Sequence, residues 1–184
     1  MNIHNTLSGK TEPFKPSGNT VSMYVCGITP YSPAHVGHAM RSVVFDVLKR
    51  YLEYKGFQVL HIENFTDIDD KMIEGANKQG ISVSELAESN ISSYLKEMDM
   101  LGVLRANSYP RATAEIDNIV DMISGLIKNN SAYEINGDVY FRVRSISDYG
   151  KLSDRDIEKL KSGARVAVAA HKLSLIHISE PTRR

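Results

Sequence analysis

Apolar and polar positions first alternate with a period of two and then change to a helical period. The run Val21–Cys26 alternates and predicts a strand. A helix is expected from about His38 to Tyr54, stopped by Gly56, because its apolar residues recur at i, i+3, i+4 and i+7. We expect these residues to form one buried face: Met40, Val43, Val44, Val47, Leu48, Tyr51 and Leu52.

The same change of period recurs after a second predicted strand, Phe57–Ile62. Thr66 and Asp69 have the spacing of a capping box, so a helix is predicted from there to about Lys78, stopped by Gly80. Ser82 and Glu85 form a second box and begin another predicted helix, which ends at Gly102. A weaker strand pattern follows at Leu104–Tyr109. This order of elements predicts an α/β fold with a parallel, doubly wound sheet.

The pattern changes again near Arg111, which we interpret as a domain boundary. Ala112–Lys128 predicts an amphipathic helix with a buried face formed by Ile116, Ile119, Val120, Ile123 and Ile127. Asn136-Gly137 between two short apolar runs predicts a β-hairpin with a type I′ turn. A short helix should follow, capped by Ser153 and Asp156 and ended by Gly163.

Composition is that of a globular protein, with 42% hydrophobic and 24% charged residues among 184. The formal net charge is zero, so a main nucleic-acid-binding surface is not expected in this chain. One cysteine excludes an internal disulfide and favours the cytoplasm. The first fifteen residues lack the apolar core of a secretory signal, and no apolar run reaches the roughly 18 residues that span a bilayer.

The last twelve residues, 173–184, resemble the translation of a transposon-type sequencing adaptor. We therefore expect this segment to be a non-native tail and leave it out of the fold prediction. The same resemblance leads us to expect that the gene was cut and that the chain is an N-terminal fragment.

The segment His35-Val36-Gly37-His38 lies between the first strand and its helix. Unpaired backbone N–H groups and a partial positive charge make a helix N-terminus a phosphate site. Two histidines would add donors where negative charge develops, and Gly37 would let a nucleotide approach the backbone. The alternative is that both histidines only cap and pack the helix.

Two further features admit a functional and a structural interpretation. Cys26 ends the first strand, where ligands bind in open α/β sheets, but a lone cysteine is commonly an inert small residue. The acidic run that includes Asp67, Asp69 and Asp70 suits a first helical turn, so capping explains most of it. The functional alternative places Thr66 at the sheet edge, facing a substrate.

Together these segments and several later ones closely resemble cysteinyl-tRNA synthetases from about Ile3 to Val168. The segments that carry the resemblance are Met23–Tyr31, His35–His38, Asn64–Lys71, Pro110–Thr113, Gly137–Phe141, Asp148–Ser153 and Gly163–Val166. The resemblance implies that residues 1–110 form the first half of a Rossmann-like class I synthetase catalytic domain. Residues 111–172 would begin a connective insertion that contains the hairpin.

The resemblance also implies a reaction in two steps: ATP activates cysteine to cysteinyl-adenylate, and tRNA(Cys) then accepts the cysteinyl group. Mg²⁺ would accompany ATP, and Zn²⁺ would select the cysteine thiolate over a serine hydroxyl. By resemblance Cys26 is the first zinc ligand. The family's other three ligands and its second ATP motif are absent here, so the fragment is expected to be inactive alone. The parent enzyme would be a cytoplasmic monomer.

The remaining site residues are also assigned by resemblance alone. Those that match the ATP-binding motif are His35, Gly37 and His38, the two histidines being the candidate catalytic residues. Those that match positions lining the cysteine pocket are Gly27, Thr29 and Thr66.

Three other functions fit part of the pattern. The cysteine ligase of mycothiol biosynthesis shares the fold and the adenylation step, but the full run Asn64–Lys71 and the segments Asp138–Phe141 and Asp148–Gly150 favour the synthetase. A nucleotidyltransferase with an HxGH motif would need neither Cys26 nor the acidic run. A non-catalytic nucleotide-binding module is the third alternative.

Overall fold

The structure, a computed structural model, describes residues 1–153. It divides into two compact units: Pro16–Ile116, and Met1–Lys15 together with the described residues from Asp117 to Ser153. The predicted short helix that ends at Gly163 and the tail 173–184 lie outside the described residues. The domain limits 1–110 and 111–172 remain predictions.

The described elements follow one another in this order along the chain. They are β1 (Asn2–Asn5), β2 (Lys10–Pro13), β3 (Thr20–Ile28), α1 (Val36–Tyr54), β4 (Gln58–Phe65), α2 (Asp70–Gln79), α3 (Val83–Met100), α4 (Ile116–Lys128), β5 (Ala132–Ile135) and β6 (Asp138–Phe141). Short 3₁₀ turns lie at Ala112–Glu115 and Val143–Ser145. No helix in this described part of the chain is long and apolar enough to cross a membrane.

A parallel pair of strands organises the larger unit. β3 and β4 pair in parallel, and the segment after α3 runs parallel to the other side of β4 through bridges at Ser108 and Arg111. The weak third strand predicted at Leu104–Tyr109 is therefore present only as isolated bridges. The predicted α/β class with a parallel sheet is confirmed.

The hydrophobic core of this unit lies between the sheet and the helices α2 and α3. It consists of Ile28, Phe65, Met72, Ala76, Leu86, Ala87, Ile91, Tyr94 and Met98. Burying aliphatic and aromatic side chains of this size is the main favourable term in folding. The carboxyl end of β3 joins this core through Ile28, which holds the neighbouring residues of the candidate site in place.

Local capping chemistry sets the ends of α2 and α3. Ser82 and Glu85 form the predicted capping box of α3, and Gly80 ends α2 in the left-handed conformation with φ 66°. The predicted cap of α2 at Thr66 is wrong. Asp69 is the N-cap, because its carboxylate accepts the Met72 N–H at 2.8 Å.

The predicted buried face of α1 is also wrong for most of its members. The exposed residues of that face are Met40, Val43, Val44, Val47 and Tyr51. The buried residues of the helix are Ser42, Asp46, Lys49 and Leu52. The polar ones can be buried because each is hydrogen-bonded: Asp46 accepts the Leu104 N–H at 2.9 Å, and Lys49 donates to the Arg105 carbonyl at 3.1 Å.

The other unit contains two antiparallel hairpins and an amphipathic helix. The type I′ turn between β5 and β6 is confirmed, because Asn136 and Gly137 both have positive φ, at 54° and 86°. The pairing of β1 with β2 had no counterpart in the sequence analysis. The buried face predicted for α4 is absent among the described residues, since none of its residues is buried.

Candidate functional site

The carboxyl end of β3 departs from regular pairing with β4. The register is continuous up to Val25 and resumes at Ile28, so Cys26 and Gly27 lie in an irregular step. Cys26 is exposed, in agreement with a position where a ligand could reach its thiol. The irregular step leaves the Cys26–Gly27 peptide to bond with side chains instead of with a neighbouring strand.

Gly27 is required here by the close approach of β4. A Cβ atom on this residue would lie 1.4 Å from the backbone oxygen of Asn64. The Gly27 N–H donates to Asn64 Oδ1 at 2.9 Å. Only glycine therefore allows the two strand ends to meet. The resemblance assigns Gly27 to the cysteine pocket, and this contact with β4 was not predicted from the sequence.

The two candidate pocket threonines differ in burial. Thr29 is buried, and its Oγ1 has no hydrogen-bond partner among the described residues. Thr66 is half-buried; its N–H donates to the Ile28 carbonyl at 3.0 Å, and its hydroxyl accepts from Asn64 Nδ2 at 3.3 Å. Asn64 thus joins Gly27 to Thr66, and the structure brings Gly27 and Thr66 together around that amide.

His35 and His38 both cap the N-terminus of α1. His35 Nδ1 accepts the Gly37 N–H at 3.1 Å, and His38 Nδ1 accepts the His35 N–H at 3.3 Å. The two rings stack with their centroids 3.9 Å apart. A Cβ on Gly37 would come within 3.0 to 3.1 Å of the His35 ring, so glycine gives this cap its room. Both histidines therefore cap α1, and the role in ATP binding that the resemblance assigns to them stays a prediction.

Capping also determines which nitrogen of each ring can donate. In a neutral imidazole one nitrogen accepts and the other carries the proton. Because Nδ1 accepts in both His35 and His38, the proton belongs on Nε2 in each neutral ring. No acidic residue lies in the first turn of α1 to offset its partial positive charge. The helix N-terminus therefore has the donors and the field of an anion site.

A buried polar network lies one turn further along α1 and was not predicted. Arg41 donates to the Cys26 carbonyl through one guanidinium nitrogen, and to Glu63 and Tyr94 through the other. Tyr94 donates to Glu63 at 2.7 Å and bonds with Ser42 at 3.0 Å. Burial and the Glu63 carboxylate raise the pKa of Tyr94, so its hydroxyl stays neutral.

His61 lies on β4 with its side chain buried and was not singled out from the sequence. Neither ring nitrogen has a hydrogen-bond partner among the described residues. Burial lowers the pKa of His61; among the nearby charges Glu63 raises it, while Lys49 and Arg41 lower it. The neutral ring is therefore the form that the fold favours.

The acidic run after β4 has the structural roles that a helix start requires. Asp67 is buried and accepts both the N–H and the hydroxyl of Thr113, at 3.0 and 2.6 Å. Asp69 caps α2, and Asp70 lies in its first turn. Asp67 thereby anchors the segment that follows Arg111, a long-range contact beyond capping.

Metal binding depends on which side chains the fold brings together. Among residues 1–153, no group of three or more His, Cys, Asp or Glu side chains is arranged to hold a metal ion. Structural and catalytic zinc sites use at least three protein ligands. The described residues therefore do not form a zinc site, and Cys26 could contribute at most one ligand.

Comparison with known proteins gives a consistent set of similarities. Residues 13–176 match the family model of the tRNA synthetases class I (C) catalytic domain. A cysteine–tRNA ligase of Dehalococcoides mccartyi is 53% identical over 173 residues, 94% of this chain and 38% of the relative. One of Lachnoclostridium phytofermentans is 51% identical over 94% of this chain and 37% of the relative. The chain thus spans less than two fifths of the length of these relatives.

Two solved structures share the fold at low sequence identity. A methionyl-tRNA synthetase of Mycobacterium tuberculosis with methionyl-adenylate has a TM-score of 0.51 and 15% identity, over 65% of this chain and 28% of its own. An Agrobacterium radiobacter K84 LeuRS in a ternary complex with tRNA and LeuAMS has a TM-score of 0.55 and 19% identity, over 65% of this chain and 16% of its own.

Proposed function

Since the chain belongs to the family of class I (C) tRNA synthetase catalytic domains, we propose that it is the ATP- and cysteine-binding part of a cysteine–tRNA ligase. The substrates would be ATP with Mg²⁺, cysteine, and tRNA(Cys). The relatives of that name are about 50% identical over most of this chain. The chain covers only part of each, so the complete activity would need the rest of such an enzyme.

One observation supports the site most directly. Arg41, on the turn after His38, hydrogen-bonds with the Cys26 carbonyl and so ties the start of α1 to the end of β3. This contact links the histidines that cap the helix with the residue that carries the thiol. An adenylation site needs both parts, because the amino-acid carboxylate must reach the α-phosphate of ATP.

The proposed first step is attack of the cysteine carboxylate oxygen on the α-phosphorus of ATP. A new oxygen–phosphorus bond forms, the bond from the α-phosphorus to the bridging oxygen breaks, and pyrophosphate leaves. Negative charge grows on the α-phosphoryl oxygens during this step. The Nε2–H donors of His35 and His38 and the N-terminus of α1 would stabilise it. In the second step a terminal ribose hydroxyl of the tRNA attacks the acyl carbon, and AMP leaves.

Selection of the amino acid would take place at the end of β3. Gly27, Thr29 and Thr66 are proposed to line the cysteine pocket, and the unpartnered Oγ1 of buried Thr29 is a candidate polar contact. Cys26 is proposed as one ligand of a zinc ion that, when bound, favours a thiolate over a hydroxyl. One ligand does not make a zinc site, so Cys26 alone would not hold the ion.

The test joins residues 1–168 of this chain to the remainder of the Dehalococcoides mccartyi relative and measures cysteine-dependent pyrophosphate exchange. We expect exchange in the chimera and a loss of about 10²-fold or more in His38→Ala, because one donor to the developing charge is removed. An unchanged rate in His38→Ala would reduce His38 to a capping residue. A chimera that folds without any exchange would contradict the proposed function.

A second variant separates catalysis from capping. His38→Gln keeps a side-chain acceptor at the third position of the helix, where glutamine suits a capping box. Its melting temperature should therefore stay close to that of the parent while the exchange rate falls. His4→Ala is the matched control for loss of a histidine, since His4 is exposed in β1.

A further inference from the structure

The Cys26–Gly27 peptide has both of its polar groups bonded to side chains. Its carbonyl accepts from Arg41 on α1, and its N–H donates to Asn64 at the end of β4. In a planar trans peptide these two groups point in opposite directions, so the two bonds hold the unit from both sides. Regular strand pairing, which would otherwise orient the peptide, is interrupted at this step.

Arg41 is itself held by hydrogen bonds to two further side chains. One of its terminal nitrogens donates to the Cys26 carbonyl, and the other donates to Glu63 and Tyr94. The Glu63 side chain is only 6% exposed, so this ion pair is weakly screened by water. A planar guanidinium can serve both directions at once, and a lysine ammonium cannot reproduce that fork.

We propose that Arg41 is a positioning residue that, with Asn64, clamps the Cys26–Gly27 peptide and thereby restricts the directions that the Cys26 thiol can take. The ψ angle of Cys26 relates this peptide plane to the Cα–Cβ bond, so a fixed peptide limits the directions in which the side chain can leave the strand. Glu63 and Tyr94 contribute indirectly, because both accept hydrogen bonds from Arg41 and so hold its guanidinium in place. The relevance of the thiol direction to cysteine recognition rests on the proposed function, whereas the clamp itself does not.

The experiment follows the Gly27 amide in the full chain labelled with ¹⁵N-glycine. Twelve glycines give a simple spectrum, and hydrogen exchange can be measured for each resolved amide. Gly80 is the internal reference, because its N–H bonds within the end of α2 and does not contact the clamp. In Arg41→Met, exchange at Gly27 should rise at least about tenfold relative to Gly80, as expected on losing a hydrogen bond to a charged group.

Arg50→Met is the matched control. Arg50 lies on the same helix and also combines an ion pair, to Asp46 at 2.8 Å, with a bond to a backbone carbonyl, that of Gly102. It does not contact Cys26, so the ratio of Gly27 to Gly80 exchange should remain within about twofold of the parent. Equal ratios in Arg41→Met and Arg50→Met would overturn the proposal.

Glu63→Gln covers the case in which Arg41→Met unfolds and Gly80 also loses protection. This variant keeps Arg41 and removes the charge that holds it, so a selective rise at Gly27 supports the clamp and an unchanged ratio refutes it. None of these measurements needs ATP, cysteine or metal. A selective effect at Gly27 combined with an inactive chimera would therefore support the clamp and reject the proposed function. An active chimera without a selective effect at Gly27 would support the proposed function and reject the clamp.

Discussion

Helices α1 and α3 have apolar residues at the same helical spacing, yet they turn opposite faces to the interior. The apolar stripe of α3 is buried, through Leu86, Ala87, Ile91, Tyr94 and Met98. In α1 the inward face is mainly polar, through Ser42, Asp46, Lys49 and the single apolar residue Leu52. The apolar stripe of α1 faces outward within the described residues.

The difference shows what helical periodicity can and cannot predict. It identifies residues that share a face, but the choice of the inward face depends on partners elsewhere in the fold. Asp46 and Lys49 can face inward because the backbone at Leu104 and Arg105 supplies their partners. A buried polar side chain with its partners in place costs far less than an unpaired one.

The largest effect should come from the apolar face of α3. Ile91 is 3% exposed, so Ile91→Ala should lower the free energy of unfolding by about 2–5 kcal/mol through lost burial and a cavity. Urea denaturation measures this, with Ile91→Val as the conservative control at about 0.5–1.5 kcal/mol. A loss no greater than that of the control would mean that α3 is not the principal packing helix.

The next effect should come from the inward polar face of α1. Asp46→Ala leaves the Leu104 N–H without its acceptor and Arg50 without its carboxylate, which should cost about 1–3 kcal/mol in the same denaturation experiment. Asp46→Asn keeps an oxygen for the Leu104 N–H and should lose less. Equal losses in the two variants would assign the effect to charge alone.

A smaller effect on the free energy of unfolding, dependent on pH, is expected at His61 on β4. Burial lowers its pKa in the fold below the usual histidine value of about 6.5, so the unfolded chain binds this proton first as the pH falls. His61 therefore favours the fold fully above about pH 6.5, and the stability declines as the pH falls from there toward the lower folded pKa.

The variant His61→Leu tests this sign. The difference in unfolding free energy between parent and variant should shift in favour of the variant as the pH is lowered below about 6.5. His4→Leu, at an exposed position, is the control and should show no such shift. A pH-independent difference between the parent and His61→Leu would contradict the buried neutral ring.

The smallest effect should come from the outward stripe of α1. Val47 is 60% exposed, so Val47→Ala should change the free energy of unfolding by no more than about 0.5 kcal/mol. Alanine also has the higher helix propensity, which offsets part of the lost contact. A loss of about 2 kcal/mol would show that something covers this stripe, and the contrast between α1 and α3 would then disappear.

Local chemistry made much of the fold predictable. The capping box of Ser82 and Glu85, the stop at Gly80 and the turn at Asn136-Gly137 depend on residues a few positions apart. The polar network around Arg41 could not be predicted in this way, because its partners on β4 and α3 are 22 and 53 residues away. Asp69, and not Thr66, caps α2, because β4 continues to Phe65 instead of ending at the predicted Ile62. The helix therefore begins later than predicted.

The candidate site was only partly accessible from the sequence for the same reason. The paired histidines and Cys26 stand out as residue types at the ends of predicted elements. Their roles in ATP and cysteine binding came from resemblance and remain predictions. That Asn64 and Arg41 bond to the two sides of one peptide depends on how three elements meet.

The contact at Gly27 also restricts how this gene can change. Every missense change of a glycine codon introduces a Cβ, and here that atom would overlap the backbone oxygen of Asn64. We therefore expect no missense change at codon 27 to be compatible with this fold. Codon 18 should accept such changes, because a Cβ on Gly18 would meet nothing within 4 Å. In a saturation library selected for folded protein, position 27 should return glycine alone, while position 18 should return a broad set of residues.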